Sequence, residues 1–257
     1  MANLYYCEAL GADALRPGEI VEVGGEEARH AVRVARLRAG ERTMIGDGRG
    51  VLAAGEVVRA ERDRFAVRIE SVESAGEPEP RLVLVQALAK GDRDERAVEQ
   101  ATEFGVDAIA PWQAARSVSR WVGAGGAGGE KAAKGVAKWS RVAREAAKQS
   151  MRARVPEVLD PRRIGELCEF AARDDTEVLV LHPRGERGLA DWAAGGAGSA
   201  VREIQLVVGP EGGFADAELD ALEAAGARVL VLGRTVLRTS SAGPAALAVL
   251  NVALGRW

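Results

Sequence analysis

Apolar and polar residues alternate in short runs along the first 72 residues of the chain. Runs such as residues 20–23 and 65–69 follow the period of two that is expected for strands with one buried face. Near residues 26–38 the spacing becomes helical. Its predicted apolar row consists of His30, Val34 and Leu37. The pattern predicts a small β-barrel with one helix.

Beyond residue 80 the pattern changes, and apolar runs that end at Gly or Pro alternate with amphipathic segments. This alternation is typical of βα units around a mainly parallel sheet, so the class is α/β. The predicted strands are residues 82–88, 106–110, 178–181, 204–208 and 228–232. Two segments are predicted as helices, and their inward positions are Val98 and Ala101 in the first and Trp139, Val142, Ala143 and Ala146 in the second.

Between these two patterns, residues 73–80 are polar, contain two prolines and lack an apolar period. Such a stretch is typical of a linker. We therefore expect an N-terminal domain over residues 1–72 and a larger domain over residues 81–257.

The net charge of −3 hides a segregated distribution. From Pro111 to Arg154 there are ten Lys or Arg against two acids, and Arg29, Arg33 and Arg36 form a second basic group at helical spacing. One such stripe is more typical of a solvated helix face. Two stripes in different parts of the chain favour a polyanion as the partner.

Other classes of protein are disfavoured. Cys7, Cys168, His30 and His182 are the only cysteines and histidines, and they lack the clustered spacing of a zinc site, so we expect no metal. No run approaches the roughly 20 apolar residues needed to span a bilayer, and no leader pattern is present, which predicts a cytoplasmic protein without a membrane partner.

Two glycine-containing turns follow predicted strands in the second domain. The first is the turn at residues 209–213, and the second is residues 232–243. Ligands of parallel sheets lie beyond the carboxyl ends of the strands, so the two turns could form one pocket, although a tight turn without a ligand explains either one alone. Neither turn fits the dinucleotide fingerprint or the phosphate loop. His182, at the end of a strand, is either a pocket residue or a structural histidine.

Three tryptophans are candidates for stacking on nucleic-acid bases, namely Trp112, Trp121 and Trp139. Trp139 lies on the apolar helix stripe, which instead predicts a core position. Ser240 and Ser241 have no evident histidine and acid partners, so a serine hydrolase is disfavoured.

Segments in this order resemble the ribosomal small-subunit RNA uridine-N3 methyltransferases of the SPOUT superfamily. In the larger domain they are Lys90–Arg93, Ala101–Val106, Arg116–Val118, Glu145–Arg152, Val155–Val158, Gly209–Phe214 and Leu232–Ala242. The N-terminal part is similar to the PUA-like RNA-binding domain of that family, with His30 and Asp47–Gly50 at matching places. The resemblance covers nearly the whole chain.

The resemblance implies a SPOUT-type parallel sheet with a C-terminal trefoil knot, a homodimer, and S-adenosylmethionine as the cofactor. The substrate would be N3 of a specific uridine of 16S ribosomal RNA, of the uridine 1498 type in the decoding region, on the assembled or nearly assembled small subunit. The cofactor loops would comprise Leu181, His182, Pro183, Val208, Gly209, Pro210, Glu211, Gly212, Gly213, Leu232, Gly233, Val236, Leu237, Arg238, Thr239, Ser240 and Ala242.

Two residues are candidates for the chemistry: Arg238 for a positive charge near the uracil, and Glu211 for a proton acceptor or an organiser of its loop. The candidate RNA-binding residues are Arg29, Arg33, Arg36, Lys90, Arg93, Arg116, Arg120, Arg141, Lys148 and Arg152. The chain departs from the family at Met151, where Gly is common, and at Ser240, where Glu is common. The alternatives are a SPOUT methyltransferase for another RNA position, such as a ribose 2′-hydroxyl, and a non-catalytic RNA-binding assembly factor.

Overall fold

The computed structural model describes residues 3–7, 15–121, 129–196 and 200–257. The chain forms two compact units. The first contains Met1–Glu77 together with Ala147–Val155, and the second contains Pro78–Ala146 and Pro156–Trp257. Among the described residues, no helix combines the length and the apolar character needed to cross a membrane.

The first unit is built on a five-stranded sheet that curls into a half-barrel. Its strands are β1 (Leu4–Tyr6), β2 (Ile20–Gly24), β3 (Arg42–Gly46), β4 (Val51–Ala60) and β5 (Arg64–Ser74), in the order β1-β3-β4-β5-β2. The pairs are antiparallel except β1 with β3. Register shifts at Ala54/Gly55 and Val57/Arg59 bend the long β4–β5 hairpin. Gly55 allows the close approach, since a β-carbon there would lie 2.1 Å from the carbonyl oxygen of Arg68.

The helical segment of this unit differs from the prediction. It consists of α1 (Gly25–Arg29) followed by a π-helical turn (His30–Val34), in which the N–H of Ala35 donates to the carbonyl of His30. A π turn is wider than an α turn, so it shifts the phase of the side chains. The predicted row is therefore wrong at His30 and Val34, which are exposed, Val34 by 69%. Leu37 is buried as predicted, together with Ala28 and Ala31.

The second unit is a seven-stranded parallel sheet flanked by helices. Its strands are β6 (Arg81–Ala87), β7 (Ala108–Trp112), β8 (Glu157–Val158), β9 (Thr176–Leu181), β10 (Arg187–Gly188), β11 (Glu203–Val208) and β12 (Arg228–Val231), in the order β10-β12-β9-β11-β6-β7-β8. Its helices are α2 (Arg93–Glu103), α3 (Glu130–Gln149, whose last three residues belong to the first unit), α4 (Ile164–Ala171), α5 (Leu189–Ala194), α6 (Asp216–Ala224) and α7 (Thr239–Ala253).

Both faces of this sheet are buried, which explains the continuous apolar runs of its central strands. In β6, Leu82 and Leu84 pack into one core, while Val83 and Val85 pack into the other. All five predicted strands are confirmed, with ends shifted by at most two residues. Trp139, predicted as core, is buried.

Candidate functional site

A cavity of about 380 Å³ opens at the carboxyl ends of β9 and β12. The two strands are parallel neighbours, with Leu181 paired to Leu230, so the segments that follow them meet at one edge of the sheet. This is the edge at which parallel sheets bind ligands. The lining consists of Leu181–Pro183, residues 231–237 and Ala242 of α7.

Eight of the residues predicted to bind a cofactor line this cavity: Leu181, His182, Pro183, Leu232, Gly233, Val236, Leu237 and Ala242. Val231, Arg234 and Thr235 complete the lining and were not selected at the sequence level. All three lie within or beside the second predicted turn. A prediction that included every residue of that loop, and not only the positions that match the family, would have contained them. The lining does not contain Val208, Gly209, Pro210, Glu211, Gly212, Gly213, Arg238, Thr239 or Ser240.

His182 directly follows the last residue of β9, and two neighbouring residues hold its ring in place. Its Nδ1 accepts a hydrogen bond of 3.1 Å from the backbone N–H of Arg184, and its ring packs edge to face on Phe214 at 5.8 Å. Partial burial lowers the pKa of His182, and the positive charges of Arg184 and Arg116 lower it further. The imidazole is therefore neutral near pH 7. His182 thus contributes an uncharged ring to the wall of the cavity and not a positive charge.

The turn at residues 209–213 joins β11 to α6, and its glycines allow close packing of protein on protein. A β-carbon at Gly209 would lie 2.7 Å from the ring of Phe214, and one at Gly212 would lie 3.1 Å from Cβ of Arg116. Gly213 adopts a φ of 69°, which favours glycine. Contacts within the protein and one positive φ are therefore enough to explain why glycine stands at these positions.

A buried hydrogen-bonded chain connects this turn to α7. The Gln86 amide donates to Thr239 Oγ1 at 2.9 Å, and the Thr239 hydroxyl donates to the carbonyl of Gly209 at 2.7 Å. At the last residue of β11, the carbonyl of Val208 accepts a hydrogen bond of 2.9 Å from Trp112 Nε1. Gln86 was missed at the sequence level, although a lone amide inside the apolar run 82–88 is the signal that could have identified it.

Glu211 is not part of the cavity lining and connects its turn to the segment at the start of α2. Its Oε1 accepts hydrogen bonds from the backbone N–H of Lys90 at 3.0 Å and from Arg93 at 2.7 Å. Burial opposes ionisation of Glu211, but the hydrogen bonds from Arg93 and from backbone N–H groups outweigh it, and the pKa is lowered. Of the two roles predicted for Glu211, these contacts favour the organiser of the loop.

Arg238 and Ser240 lie at the start of α7. Arg238 is the N-cap residue and is exposed, while Ser240 is half-buried in the first turn of the helix. Among the described residues, Arg238 has no ion-pair partner in the structure. Its guanidinium is therefore available to a ligand, and the N-terminus of α7 adds a partial positive charge nearby.

The predicted RNA-binding residues divide between the units. Arg29, Arg33 and Arg36 are exposed in the first unit, and Lys90, Arg93, Arg116, Arg120 and Arg141 are exposed in the second. Arg152, in the first unit, is half-buried.

Lys148 does not lie on the exposed basic face that was predicted. Its side chain is only 8% exposed, and its Nζ lies 2.7 Å from the Glu27 carboxylate and 5.6 Å from the centre of the Tyr5 ring. The helical spacing was read correctly, but the last turn of α3 is part of the first unit and is covered there. Trp112 is likewise buried rather than available for stacking. Within the described residues, no group of three or more His, Cys, Asp or Glu is placed to hold a metal ion.

A parallel sheet with a ligand cavity at its carboxyl edge, in a chain that also contains a separate small β unit, matches a class of RNA-modifying enzymes. The RNA methyltransferase domain family matches residues 77–251, and the RNA methyltransferase PUA domain family matches residues 23–70. The chain belongs to the ribosomal RNA small subunit methyltransferase E family.

Two relatives and two solved structures support this membership. The chain is 42% identical to ribosomal RNA small subunit methyltransferase E of Mycobacterium bovis over 261 residues, covering 100% of this chain and 94% of the relative, and 29% identical to that of Bacillus subtilis over 89% and 88%. The structure of the Neisseria gonorrhoeae protein of that name bound to S-adenosyl methionine has a TM-score of 0.82 at 26% identity, over 98% of each chain. A Legionella pneumophila methyltransferase in complex with its cofactor SAM has a TM-score of 0.80 at 28% identity, over 98% of each chain.

Proposed function

We propose that this chain transfers a methyl group from S-adenosylmethionine to N3 of a specific uridine in 16S ribosomal RNA. Membership of the methyltransferase E family carries the coarser statement, an S-adenosylmethionine-dependent methylation of small-subunit ribosomal RNA. The finer statement, uridine N3, rests on the motif resemblance and on the chemistry below. The observation that carries the proposal is the cavity at the carboxyl ends of β9 and β12.

The residues present fit S-adenosylmethionine. The cavity volume of about 380 Å³ lies within the usual range for small-molecule sites. Apolar side chains such as Leu181, Leu232 and Val236 offer a surface for the adenine ring, and the backbone of the second loop offers hydrogen-bonding groups for its edge and for the amino-acid end. When bound, S-adenosylmethionine supplies a methyl group already activated by its sulfonium.

The protein must then orient uracil and favour loss of the N3 proton. The uracil anion carries its charge on two carbonyl oxygens, so a nearby cation stabilises it. A unit charge about 4 Å away, at an effective dielectric near 20, contributes up to roughly 4 kcal/mol. Arg238 is the proposed cation because it is exposed and its guanidinium is available at the start of α7. Glu211 holds its turn through Lys90 and Arg93, and water takes the proton.

Two further parts of the proposal concern the assembly. The exposed arginines of the first unit and of residues 116–141 would contact RNA phosphates, as basic groups in RNA-binding units do. The active species would be a homodimer whose second unit carries the trefoil knot that the resemblance implies.

The test is methylation of small subunits from a strain that lacks this enzyme, followed by mass mapping of the modified nucleotide. We expect one methyl group on the base of one uridine, attached to N3. A methyl group on a ribose 2′-hydroxyl would replace the proposal by the alternative SPOUT reaction. Absence of both cofactor binding in calorimetry and methyl transfer would favour the non-catalytic assembly factor.

A further inference from the structure

A second cavity of about 380 Å³ lies within the second unit, between the residues that follow β6 and the helix α3. Its walls include Lys90, Asp94, Trp121, Gly135, Lys138 and Trp139. None of them lines the cavity at β9 and β12. Lys90 is one of the candidate RNA-binding residues, but the sequence alone predicted no ligand for this cavity.

The aromatic wall of this cavity is fixed in place by its surroundings. Trp121 packs edge to face on the buried Trp139 at 5.2 Å, and its backbone N–H donates to Gln113 Oε1 at 2.9 Å. The indole also lies against the backbone of α3 at Gly135, where a β-carbon would come within 2.6 Å of the ring. Glycine is a poor helix former, so its presence inside a helix of 20 residues has a steric reason here. Trp121 is half-buried, which leaves part of the ring accessible.

Charged groups surround this aromatic wall. Asp94 is 5% exposed, and its carboxylate accepts N–H groups from Ala89 at 3.2 Å and from Glu95 at 2.9 Å. Burial raises the pKa of Asp94. Lys90 is exposed at the rim. Lys138 also lines the cavity, but its ammonium forms an ion pair with the carboxylate of Glu95, another lining residue, which leaves Lys90 as the cation for a phosphate. An aromatic ring with an exposed ammonium group and a carboxyl group in the same cavity matches a nucleotide, whose base stacks and whose phosphate attracts the ammonium group.

We propose that this cavity binds an unstacked nucleobase of the RNA substrate, stacked on Trp121. Sequence-specific RNA recognition commonly relies on splayed bases that stack on aromatic side chains. Lys90 would contact the adjoining phosphate, and Asp94 would accept a hydrogen bond at the edge of the base. The identity of the RNA rests on the proposed function, whereas the stacking does not.

The test measures the dissociation constant for small subunits that lack the modification, by filter binding without cofactor, so that catalysis does not enter. Trp121→Ala should weaken binding about ten- to a hundredfold, the range for loss of one stacked base, and Trp121→Phe should restore most of it. Gly135→Ala should weaken binding in the same direction, because the added methyl group displaces the indole while improving helix propensity.

The matched control is Trp257→Ala, which removes a tryptophan that is 63% exposed and lies outside the cavity. It should bind RNA like the parent, and all variants should keep the parent affinity for S-adenosylmethionine in calorimetry. Parent-like RNA binding by folded Trp121→Ala overturns the proposal, and so does a Trp121→Phe variant as weak as Trp121→Ala. If the parent neither binds cofactor nor methylates RNA, but Trp121→Ala still loses RNA affinity with rescue by Phe, the proposed function fails while the stacking site stands.

Discussion

The hydroxyl of Thr239 donates a hydrogen bond of 2.7 Å to the carbonyl oxygen of Gly209, and so joins the first turn of α7 to the end of β11. Thr239 is 6% exposed and also accepts from the Gln86 amide. The two glycine turns are therefore coupled through a buried hydroxyl rather than by contact of their backbones alone.

Replacing this hydroxyl should loosen both turns. In Thr239→Val, the amide of Gln86 and the carbonyl of Gly209 lose their shared partner in a buried place. We expect the free energy of unfolding to fall by about 1–3 kcal/mol, measured by urea denaturation, and the affinity for S-adenosylmethionine to fall with it. Thr239→Ser keeps the hydroxyl and is the control. Equal stability of the Val variant and the parent would contradict the coupling.

Glu211 should act through its ion pair rather than as a base. Because its folded-state pKa is lowered, the stabilisation by its carboxylate is present above the ordinary pKa of 4.5 and is lost as pH falls through the lowered value. The unfolding free energies of the parent and Glu211→Gln should differ near neutral pH and converge in acid. The pH–rate profile of Glu211→Gln should keep the parent shape. A profile that loses its acidic limb in the variant would instead identify Glu211 as the proton acceptor.

Arg238→Ala should lower the single-turnover rate of methyl transfer by about a hundredfold or more at neutral pH, the scale of losing one preorganised charge contact. The deficit should shrink as pH rises, because uracil then ionises without help. Arg238→Lys keeps the charge and should retain more of the rate. Activity of the parent is expected although Ser240 is too weak a base to replace a carboxylate. An Arg238→Ala variant as fast as the parent at neutral pH would remove Arg238 from the chemistry.

Two basic residues on α3 should respond in opposite ways. Arg141 is exposed, so Arg141→Ala should weaken RNA binding and reduce the log–log salt slope by somewhat under one unit, with little effect on stability. Lys148 is buried and paired with the half-buried Glu27, so Lys148→Ala removes the cation from this carboxylate and should cost about 3 kcal/mol of stability. Thermal melts and salt-dependent binding of both variants would show the contrast. If Lys148→Ala is as stable as the parent and its RNA binding depends less on salt, Lys148 contacts RNA and the prediction is wrong.

Met151 adopts a φ of 56°, a conformation that favours glycine, and its side chain packs beside Leu4, Tyr6 and Ala147. Met151→Ala and Met151→Gly both lose that packing, but only glycine also relieves the backbone. The Gly variant should therefore be more stable than the Ala variant by about 1 kcal/mol in urea unfolding. The reverse order would mean that the left-handed conformation costs nothing at this position.

The sequence by itself determined the elements whose signal is local. Strands β6, β7, β9, β11 and β12 are buried on both faces, so each appears as an apolar run whatever its neighbours are. The loop that follows β12 could be predicted as part of a site because the carboxyl ends of parallel strands share an edge. Its predicted partner was the turn after β11, whereas the cavity is lined by the segment after β9. The burial of Trp139 follows from the helical period of its stripe in the same way.

Only the tertiary structure decided which residues meet across the chain. Glu211 and Arg93 are 118 positions apart, and Lys148 and Glu27 are 121 apart, so no local period encodes either pair. The π turn at His30–Val34 changed the phase of the first helix, because one extra residue per turn rotates every later side chain. The cavity beside Trp121 is formed by three segments that are separated along the chain. The reason for glycine at position 135 is visible only in the structure, where the indole of Trp121 lies against it.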